Sequence, residues 1–412
     1  MDKNQTMAQT AQQSRINGPL HGVRILDLTG VVFGPIATQA LADMGADVVK
    51  IEGLTGDRMR ANGVSVHRGM SSIYLALNRN KRSLAIDLKK PAGQQLLKRL
   101  IPSFDVFVHN MRVPAIERLG LGYEQVRALH PNVIYCAATG FGQSGPDNER
   151  PAFDDIIQAA SGLTWLNSAG GKEPDYVPSL IADKTAGLVL ANAMLGALLC
   201  RERTGIGQYV EVPMFETLVS FVLAEHLGGL TFVGGDKPAG YQRILAGGRR
   251  PARTADGFVA MLPYTEKHWK AFFAFVGRED LAAKYNMADR HERNARIAEL
   301  YADMHSMTPL RTTAEWVERC RELDIPCTPI NSVADLLEHE HVKAVGLFEQ
   351  RTHPTEGTIR SVRPTANFSE TPLRIRRDAP ALGADSSALL REAGLEDEEV
   401  AELIAQDVVR QG

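Results

Sequence analysis

Short β-rich runs alternate with amphipathic helical segments, and this alternation constrains the fold more than any other feature of the chain. The first repeat is a strand at Val23–Leu28, a glycine-containing turn, a helix over Ile36–Met44 with Pro35 at its first position, and a strand at Ala46–Glu52. Two strands joined through a helix form a right-handed crossover in a parallel sheet. The sequence therefore predicts a doubly wound α/β domain.

The same alternation continues through the first half of the chain and returns after a glycine-rich interruption. Further strands are predicted at Ser83–Leu88, Asp105–Asn110, Asn132–Gly142 and Gln208–Met214, with helices at Pro91–Ile101, Pro114–Gly120, Tyr123–His130, Gly187–Cys200 and up to Leu227. The stretch 227–254 is rich in glycine, which favours loops. A second unit then combines strands at Gly257–Leu262 and Ile325–Ile330 with helices at Glu266–Val276 and Thr313–Leu323.

Composition and charge exclude several classes of protein. The chain has 412 residues, 44% of them apolar, enough for about two or three domains with sizeable cores. Its formal net charge of −3 gives no basic surface for nucleic acid. No apolar run approaches the ~18 residues that a membrane span needs, and the polar N-terminus lacks the apolar region of a signal peptide. Four cysteines without CxxC spacing indicate reduced thiols and a cytoplasmic location.

The most informative short motif is PSLIADKTAG at residues 178–187, because it places one carboxylate, Asp183, before a long apolar helix. Such a side chain can cap the orphan N–H groups of the helix, whose dipole favours the ionised form. The alternative is a nucleophilic carboxylate, flanked by small residues that let a substrate approach. Phe153-Asp154-Asp155 begins another acidic helix, and we expect Asp154 and Asp183 to face one cleft. Two carboxylates in one pocket suit acyl or proton transfer.

Three other motifs give no support for a cofactor, an esterase or a metal. The turn Gly30–Pro35 lacks the G-x-G-x-x-G spacing of a dinucleotide site, and Pro35 removes an N–H that a pyrophosphate would use. The segment GFGQSGP, Gly140–Pro146, is not the G-x-S-x-G of a hydrolase. His339 and His341 are two residues apart, so on a helix they point in different directions and cannot share a metal ion.

Several segments, in this order, resemble those of the family III CoA-transferases, which include formyl-CoA:oxalate, carnitine and succinyl-CoA:hydroxymethylglutarate transferases. The segments are Leu20–Glu52, Asn78–Gly93, Asp105–Glu124, Val133–Pro146, Pro151–Leu163, Pro178–Gly187 and Arg203–Met214, with a weaker one at IPCTPINSVADLLEHEHV. The resemblance implies an α/β fold with a Rossmann-like, doubly wound large domain and a smaller α+β domain, in an interlocked homodimer. The expected parts are a flexible tail at 1–19, the large CoA-binding domain at 20–226, a glycine-rich linker at 227–254, the small domain at 255–345, and at 346–412 a linker and helices that return to the large domain.

The resemblance also implies the chemistry and places its residues. Asp183 falls on the family's nucleophile, which attacks an acyl-CoA thioester and passes through aspartyl anhydride and aspartyl-CoA thioester intermediates. CoA is then a substrate, and no cofactor or metal is expected. Asp154 matches a carboxylate near the thioester, and Gly247 and Gly248 match a glycine loop that keeps water off the intermediate. The residues that match CoA contacts are Val32, Phe33, Ile86, Asp87, Leu88, Lys89, Asn110, Met111, Arg112, Arg118 and Phe153.

Other activities and the substrate stay open at this point. An acyl-CoA racemase of the same superfamily would need a histidine where this chain has Phe153, which cannot carry a proton. Intramolecular CoA transfer, an isomerase reaction, uses the same nucleophile, and a CoA-binding protein without chemistry would need Asp183 to be only a cap. Arg249, Arg250 and Arg253 form either a solvated loop or a site that pairs with a second carboxylate. The latter predicts dicarboxylate substrates with succinyl-CoA as donor.

Overall fold

The computed structural model describes residues 17–168, 173–245 and 248–412, which divide into two units. Unit 1 consists of the described residues up to Ser161, Val177–Phe221 and Gly346–Gly412, and unit 2 of Gly162–Tyr176 and Val222–Val345. The expected linker at 227–254 therefore belongs to the smaller unit, together with Gly162–Tyr176. Most of the expected tail at 1–19 lies outside the described residues.

The larger unit is built on one seven-stranded sheet. In chain order the strands of both units are β1 (Arg24–Leu28), β2 (Asp47–Glu52), β3 (Lys81–Ile86), β4 (Val106–His109), β5 (Ile134–Thr139), β6 (Tyr209–Pro213), β7 (Ala252–Arg253), β8 (Phe258–Met261), β9 (Cys327–Pro329), β10 (Phe348–His353), β11 (Gly357–Val362) and β12 (Val409–Arg410). The sheet has the order β12-β3-β2-β1-β4-β5-β6. Strands β1 to β6 pair in parallel, and their order is that of a doubly wound sheet. The mixed α/β class with a mostly parallel sheet is thus confirmed.

Strands β4 and β5 are almost entirely apolar because both faces of a parallel sheet are covered. Every residue of β5 (IYCAAT) is buried, as is every residue of β4 (VFVH). The antiparallel strand β12 closes one edge, where Val409 pairs with Ile86. The sequence analysis does not predict β12, nor the antiparallel hairpin of β10 and β11, which both lie in the C-terminal segment of unit 1.

Helices flank the sheet of unit 1 and form most of unit 2. In chain order they are α1 (Phe33–Asp43), α2 (Ser72–Asn78), α3 (Pro91–Leu100), α4 (Val113–Arg118), α5 (Tyr123–Leu129), α6 (Asp154–Ala160), α7 (Leu163–Asn167), α8 (Ile181–Thr204), α9 (Met214–His226), α10 (Gln242–Leu245), α11 (Glu266–Phe275), α12 (Glu279–Lys284), α13 (Arg290–Ala295), α14 (Ile297–Met307), α15 (Thr313–Glu322), α16 (Glu340–Ala344), α17 (Ser386–Glu392) and α18 (Asp397–Ala405).

Two helices begin earlier than the sequence predicts, and both differences bear on the site. Helix α1 begins at Phe33, so Pro35 is its third residue, where its missing N–H still belongs to the unpaired first turn. Helix α8 begins at Ile181, so Asp183 lies inside its first turn and not before it. The prediction that Asp183 precedes the helix is therefore wrong.

Helix α8 packs closely against α1. A β-carbon added to Gly187 would overlap the side chain of Ile36 and lie 2.8 Å from the carbonyl oxygen of Phe33, so only glycine fits this crossing. By length and composition alone α8 could also cross a membrane, which the sequence analysis does not anticipate. Half of its most apolar window is buried in the protein, as in the core helix of a globular domain, so it is weak evidence for a membrane span.

The core of unit 2 is aromatic. Trp269, Phe272 and Phe273 of α11 are fully buried and pack with Tyr301 of α14 and Trp316 of α15. Strands β7, β8 and β9 form a small antiparallel sheet beside them. Unit 2 therefore has its own core and combines helices with an antiparallel sheet, as in an α+β domain.

Candidate active site

A cavity of about 280 Å³ lies at the carboxyl ends of the parallel strands of unit 1. Its walls come from the turns after β1, β2 and β4, from the end of β5 and the segment after it, and from the first turns of α8 and α9. The lining residues are Gly30, Val31, Phe33, Arg58, Asn110, Met111, Arg112, Val113, Ala138, Thr139, Gly140, Gln143, Asn148, Arg150, Pro151, Ala152, Phe153, Asp183 and Met214. Strand order reverses between β1 and β4, and ligands of open α/β sheets bind at such a point.

Asp183 is the carboxylate of this cavity, and the first turns of two helices hold it. The residue is only 7% exposed, and the backbone N–H of Phe33, the first residue of α1, favours its charged form. Within the described residues, no side-chain hydrogen bond caps the start of α8, whose N-cap is Leu180. This absence argues against a simple capping role for Asp183.

Asp154 supports the backbone beneath Asp183. Its Oδ2 accepts a hydrogen bond of 3.0 Å from the backbone N–H of Asp183, and its Oδ1 accepts one of 2.6 Å from Nε2 of Gln158. The amide of Gln158 also contacts the backbone of Val177 and Ser179, which lead into α8. Asp154 and Asp183 are therefore brought together as expected, with Asp154 holding the start of α8.

The surroundings raise the pKa of Asp183 to about 7. Burial is the largest cause, because it disfavours the charged form, and the nearby carboxylates of Asp154 and Asp155 add to it. The N–H of Phe33 acts in the opposite direction. A carboxyl group whose pKa lies near neutrality is a more basic nucleophile than an ordinary aspartate, while a large fraction stays ionised.

The turn between β1 and α1 has an unusual backbone, and several polar side chains fix it. Val31 has a φ of +69°, a conformation that β-branched residues rarely adopt. Oδ1 of Asp57 accepts a hydrogen bond of 3.1 Å from the N–H of Val31, and Oδ1 of Asn110 accepts one of 2.9 Å from the N–H of Gly30. Asp57 forms a buried ion pair of 2.9 Å with Lys50. Hydrogen bonds from the segments after β2 and β4, the two strands beside β1, thus hold the strained turn in place.

The structure brings some of the expected site residues together and leaves others apart. Phe33, Asn110, Met111, Arg112, Phe153 and Asp183 line the cavity. Val32 and Ile86 are buried and do not line the cavity, and their role as CoA contacts stays a prediction. Asp87, Leu88, Lys89 and Arg118 are in unit 1 but do not line the cavity. Their role as CoA contacts stays a prediction.

The expected glycine loop lies partly outside the described residues, which exclude Gly247. Gly248 belongs to unit 2, where its carbonyl oxygen is 2.8 Å from Nε2 of His305 and a β-carbon on it would lie 2.8 Å from Cβ of Tyr301. Arg250 and Arg253 are exposed residues of the same unit. Whether this loop covers Asp183 stays a prediction.

Two arginines of the cavity, Arg58 and Arg150, are missing from the sequence analysis. Together with Arg112 they place three cations around one carboxylate, Asp183. The sequence does not indicate that these arginines share a cavity, because Arg58 follows β2 and Arg150 follows β5, far apart in the chain. Such a cavity favours anionic ligands.

Metal-ligand groups are not part of the site. Among the residues that the structure describes, no group of three or more His, Cys, Asp or Glu side chains could hold a metal ion. His339 precedes the short helix α16, and His341 lies in it.

Comparisons with known proteins identify the family of the chain. The sequence profile described as "CoA-transferase family III" matches residues 20–386. The chain belongs to this family. The family predicted from the motifs is thereby confirmed, and so is the class of enzyme: a transferase that acts on acyl-CoA, with CoA as a substrate.

Curated relatives and solved structures cover most of the chain. The succinyl-CoA:glutarate CoA-transferase of Mus musculus is 31% identical over 398 residues, which are 95% of this chain and 91% of that protein. A probable fatty acyl-CoA transferase of Mycobacterium tuberculosis is 34% identical over 313 residues, 73% of this chain and 79% of that protein. The crystal structure of a CAIB/BAIF family protein from Brucella suis, 28% identical, superposes with a TM-score of 0.79 over 92% of this chain and 100% of that one.

Proposed function

We propose that this family III CoA-transferase moves CoA from succinyl-CoA to a dicarboxylic acid, with Asp183 as the nucleophile. The observation that supports the proposal most is the placement of Asp183. Its carboxylate lies in a cavity at the point where the strand order reverses, and burial beside Asp154 raises its pKa to about 7. This arrangement suits a group that must attack a thioester and leave again.

The proposed reaction has four steps. The carboxylate of Asp183 attacks the thioester carbonyl and forms a mixed anhydride, and the CoA thiolate leaves. The thiolate then attacks the aspartyl carbonyl, which gives an aspartyl-CoA thioester and releases the donor acid. The acceptor carboxylate attacks that thioester, forms a second anhydride and expels the thiolate again. Attack of the thiolate on the acceptor's carbonyl gives the new acyl-CoA and the free carboxylate of Asp183. The covalent intermediates divide one difficult step into easier ones.

Two kinds of support favour dicarboxylates. The name of the mouse relative contains two dicarboxylates, succinate and glutarate. The cavity of this chain carries the cations that a second carboxylate would need, Arg58, Arg112 and Arg150. The name of the mycobacterial relative instead points to fatty acids, which have one carboxylate, so the acceptor must be tested directly.

The test is a panel of acceptors against two donors. The purified enzyme is incubated with succinyl-CoA or acetyl-CoA and with glutarate, adipate, malate, pentanoate or octanoate, and each new acyl-CoA is quantified by mass spectrometry. We expect succinyl-CoA to be the better donor and the diacids to be the better acceptors. Equal use of pentanoate and glutarate, or a preference for octanoate, would contradict the proposed substrate class.

Two further measurements test the rival activities, racemase and isomerase. Phe153 lines the cavity beside Asp154 and offers no group that could take up a proton. We therefore expect no exchange of the α-proton of a 2-methylacyl-CoA in deuterated water. Rapid exchange without an acceptor acid would favour a racemase. An isomerase would form new acyl-CoA from one diacid-derived substrate but none from a separate acceptor.

We propose that the enzyme is an interlocked homodimer, as the family resemblance implies, and that it acts in the cytoplasm, where its four scattered cysteines would stay reduced. Large apolar side chains, including Leu188 and Leu199 of α8 and Phe221 of α9, are more than half exposed in the single chain. Exposed apolar patches of this kind typically mark interfaces. Light scattering at decreasing concentration tests the assembly: we expect the mass of two chains down to nanomolar protein, and an active monomer would contradict the proposal.

A further inference from the structure

Arg58 differs from its neighbours in having no partner within unit 1. It begins the short 3₁₀ turn Arg58–Arg60. Arg60, two residues on, is buried and bonded to both carboxylate oxygens of Glu52 and to the hydroxyl of Tyr74. The side chain of Arg58 is exposed, lines the cavity, and makes no hydrogen bond or ion pair with any residue that the structure describes. An unpaired guanidinium in a cavity is available for an anion of the substrate.

The turn that carries Arg58 is tied to the turn that contacts the nucleophile. Oδ1 of Asp57 accepts hydrogen bonds from the N–H of Met59, at 2.9 Å, and from the N–H of Val31, at 3.1 Å. Phe33, two residues beyond Val31, has the backbone N–H that favours the charged form of Asp183. Asp57 therefore joins the turn of Arg58 to the turn that leads to Phe33. Because Arg58 and Asp183 line the same cavity, one bound substrate can present an anion to Arg58 and a carbonyl to Asp183.

The other two arginines of the cavity are less suited to this role. Arg150 lies 3.5 Å from the carboxylate of Asp147 and its guanidinium lies over the ring of Phe141, so it already has partners. Arg112 follows β4, and the family resemblance assigns that position to the pyrophosphate of CoA. Arg58 is the cation of the cavity to which neither the structure nor the resemblance gives a partner.

We propose that Arg58 binds the distal carboxylate of the dicarboxylate acyl group and acceptor, and so selects diacids over monoacids. This inference rests on the proposed function, and it places the selection in unit 1 rather than on Arg249, Arg250 or Arg253. The guanidinium presents a planar pair of donors that matches a carboxylate bidentately. A monoacid of equal length leaves this cation unpaired and loses that contact.

The test compares Arg58→Gln and Arg58→Lys with Arg68→Gln as the matched control. Arg68 is also exposed and, within the described residues, unpaired, but it does not line the cavity. For each enzyme kcat/KM is measured with glutarate and with pentanoate as acceptors, and KM with acetyl-CoA and with succinyl-CoA as donors. For Arg58→Gln we expect kcat/KM for glutarate to fall about 10- to 100-fold, as expected for the loss of a charged bidentate contact. The value for pentanoate should change less than about threefold, because pentanoate has no distal carboxylate for Arg58 to bind.

Arg58→Lys should recover part of the diacid preference, because lysine keeps the charge but not the planar pair of donors. Arg68→Gln should behave as the wild type. If KM for acetyl-CoA rises as much as KM for succinyl-CoA, Arg58 binds a phosphate of CoA and the proposal is wrong. An unchanged ratio of glutarate to pentanoate in Arg58→Gln also contradicts it. A wild-type enzyme that does not prefer diacids contradicts the proposed function itself, whereas a preference unaffected by Arg58→Gln contradicts only the role of Arg58.

Discussion

Asp183→Asn should make the protein more stable at alkaline pH while it removes transfer activity. The fold holds this carboxyl in a buried position beside Asp154, which raises its pKa from 3.8 to about 7. Above that pH the folded protein must carry an unfavourable buried charge. An asparagine keeps the shape of the side chain and one of its two oxygens, but it carries no charge. Residues that serve catalysis are often unfavourable for stability in this way.

The magnitude follows from the pKa shift. A group whose pKa is higher in the folded than in the unfolded state stabilises the fold fully below the unfolded pKa, and this contribution is lost as the pH rises through the folded pKa. The shift from 3.8 to about 7 corresponds to at most about 4 kcal/mol above pH 7, and the same arithmetic gives about 1.6 kcal/mol at pH 5. Water access and relaxation reduce these values, so we expect a gain for Asp183→Asn of about 1–3 kcal/mol at pH 8.5.

Thermal unfolding at pH 5 and pH 8.5 measures this gain. One kcal/mol raises Tm by about 2 °C in a domain of this size, so Asp183→Asn should unfold about 2–6 °C above the wild type at pH 8.5, with a smaller difference at pH 5. Glu149→Gln is the control, because Glu149 is an exposed carboxylate that does not line the cavity, and the loss of its charge should shift Tm little at either pH. Equal Tm values for Asp183→Asn and the wild type at both pH values would refute the account of the buried charge.

Two further predictions concern the helix crossing and the pH profile. Gly187→Ala should cost about 1–3 kcal/mol of stability and lower kcat more than about tenfold, because its β-carbon would overlap Ile36 and displace Phe33 from Asp183. Gly196→Ala, on the same helix with open space around it, should instead be stabilising. Equal effects of the two substitutions on Tm and on kcat would contradict this prediction. For the wild type, kcat/KM should rise with pH to a plateau above about 7, because the nucleophile must be ionised; a profile that is flat from pH 5.5 to 8.5 would contradict the assignment.

The order of strands and helices around the parallel sheet could be predicted from the sequence, because apolar residues recur in these segments with the spacing of a strand or of a helix. The βαβ unit from β1 to β2 is an example: its strand boundaries are right within one residue, while α1 begins three residues early, at Phe33. Helix ends depend on local contacts that the pattern does not contain. The short edge strand β12 has only two residues, and its pairing with β3 is a long-range contact. No local sequence pattern predicts such a strand.

The site could be predicted only in part. The motif around Asp183 and the acidic start of α6 identify the two carboxylates, and the structure brings them together. Asp183 lies inside the first turn of α8 rather than before it, and the N–H that favours its charged form belongs to Phe33 on another helix, a tertiary effect. Arg58 reaches the cavity because Asp57 ties its turn to Val31, 26 residues away in the chain. The sequence contains these residues but not the distances between them.

The measurement that tests the central claim most directly is the identification of the covalent intermediate. The wild type and Asp183→Ala are incubated with succinyl-CoA, trapped with hydroxylamine or reduced with borohydride, digested, and analysed by peptide mass spectrometry. We predict modification of the peptide that contains Asp183 in the wild type, and neither modification nor transfer in Asp183→Ala, which should still fold and bind CoA. Modification of a different residue, or transfer that survives in Asp183→Ala, would contradict the account.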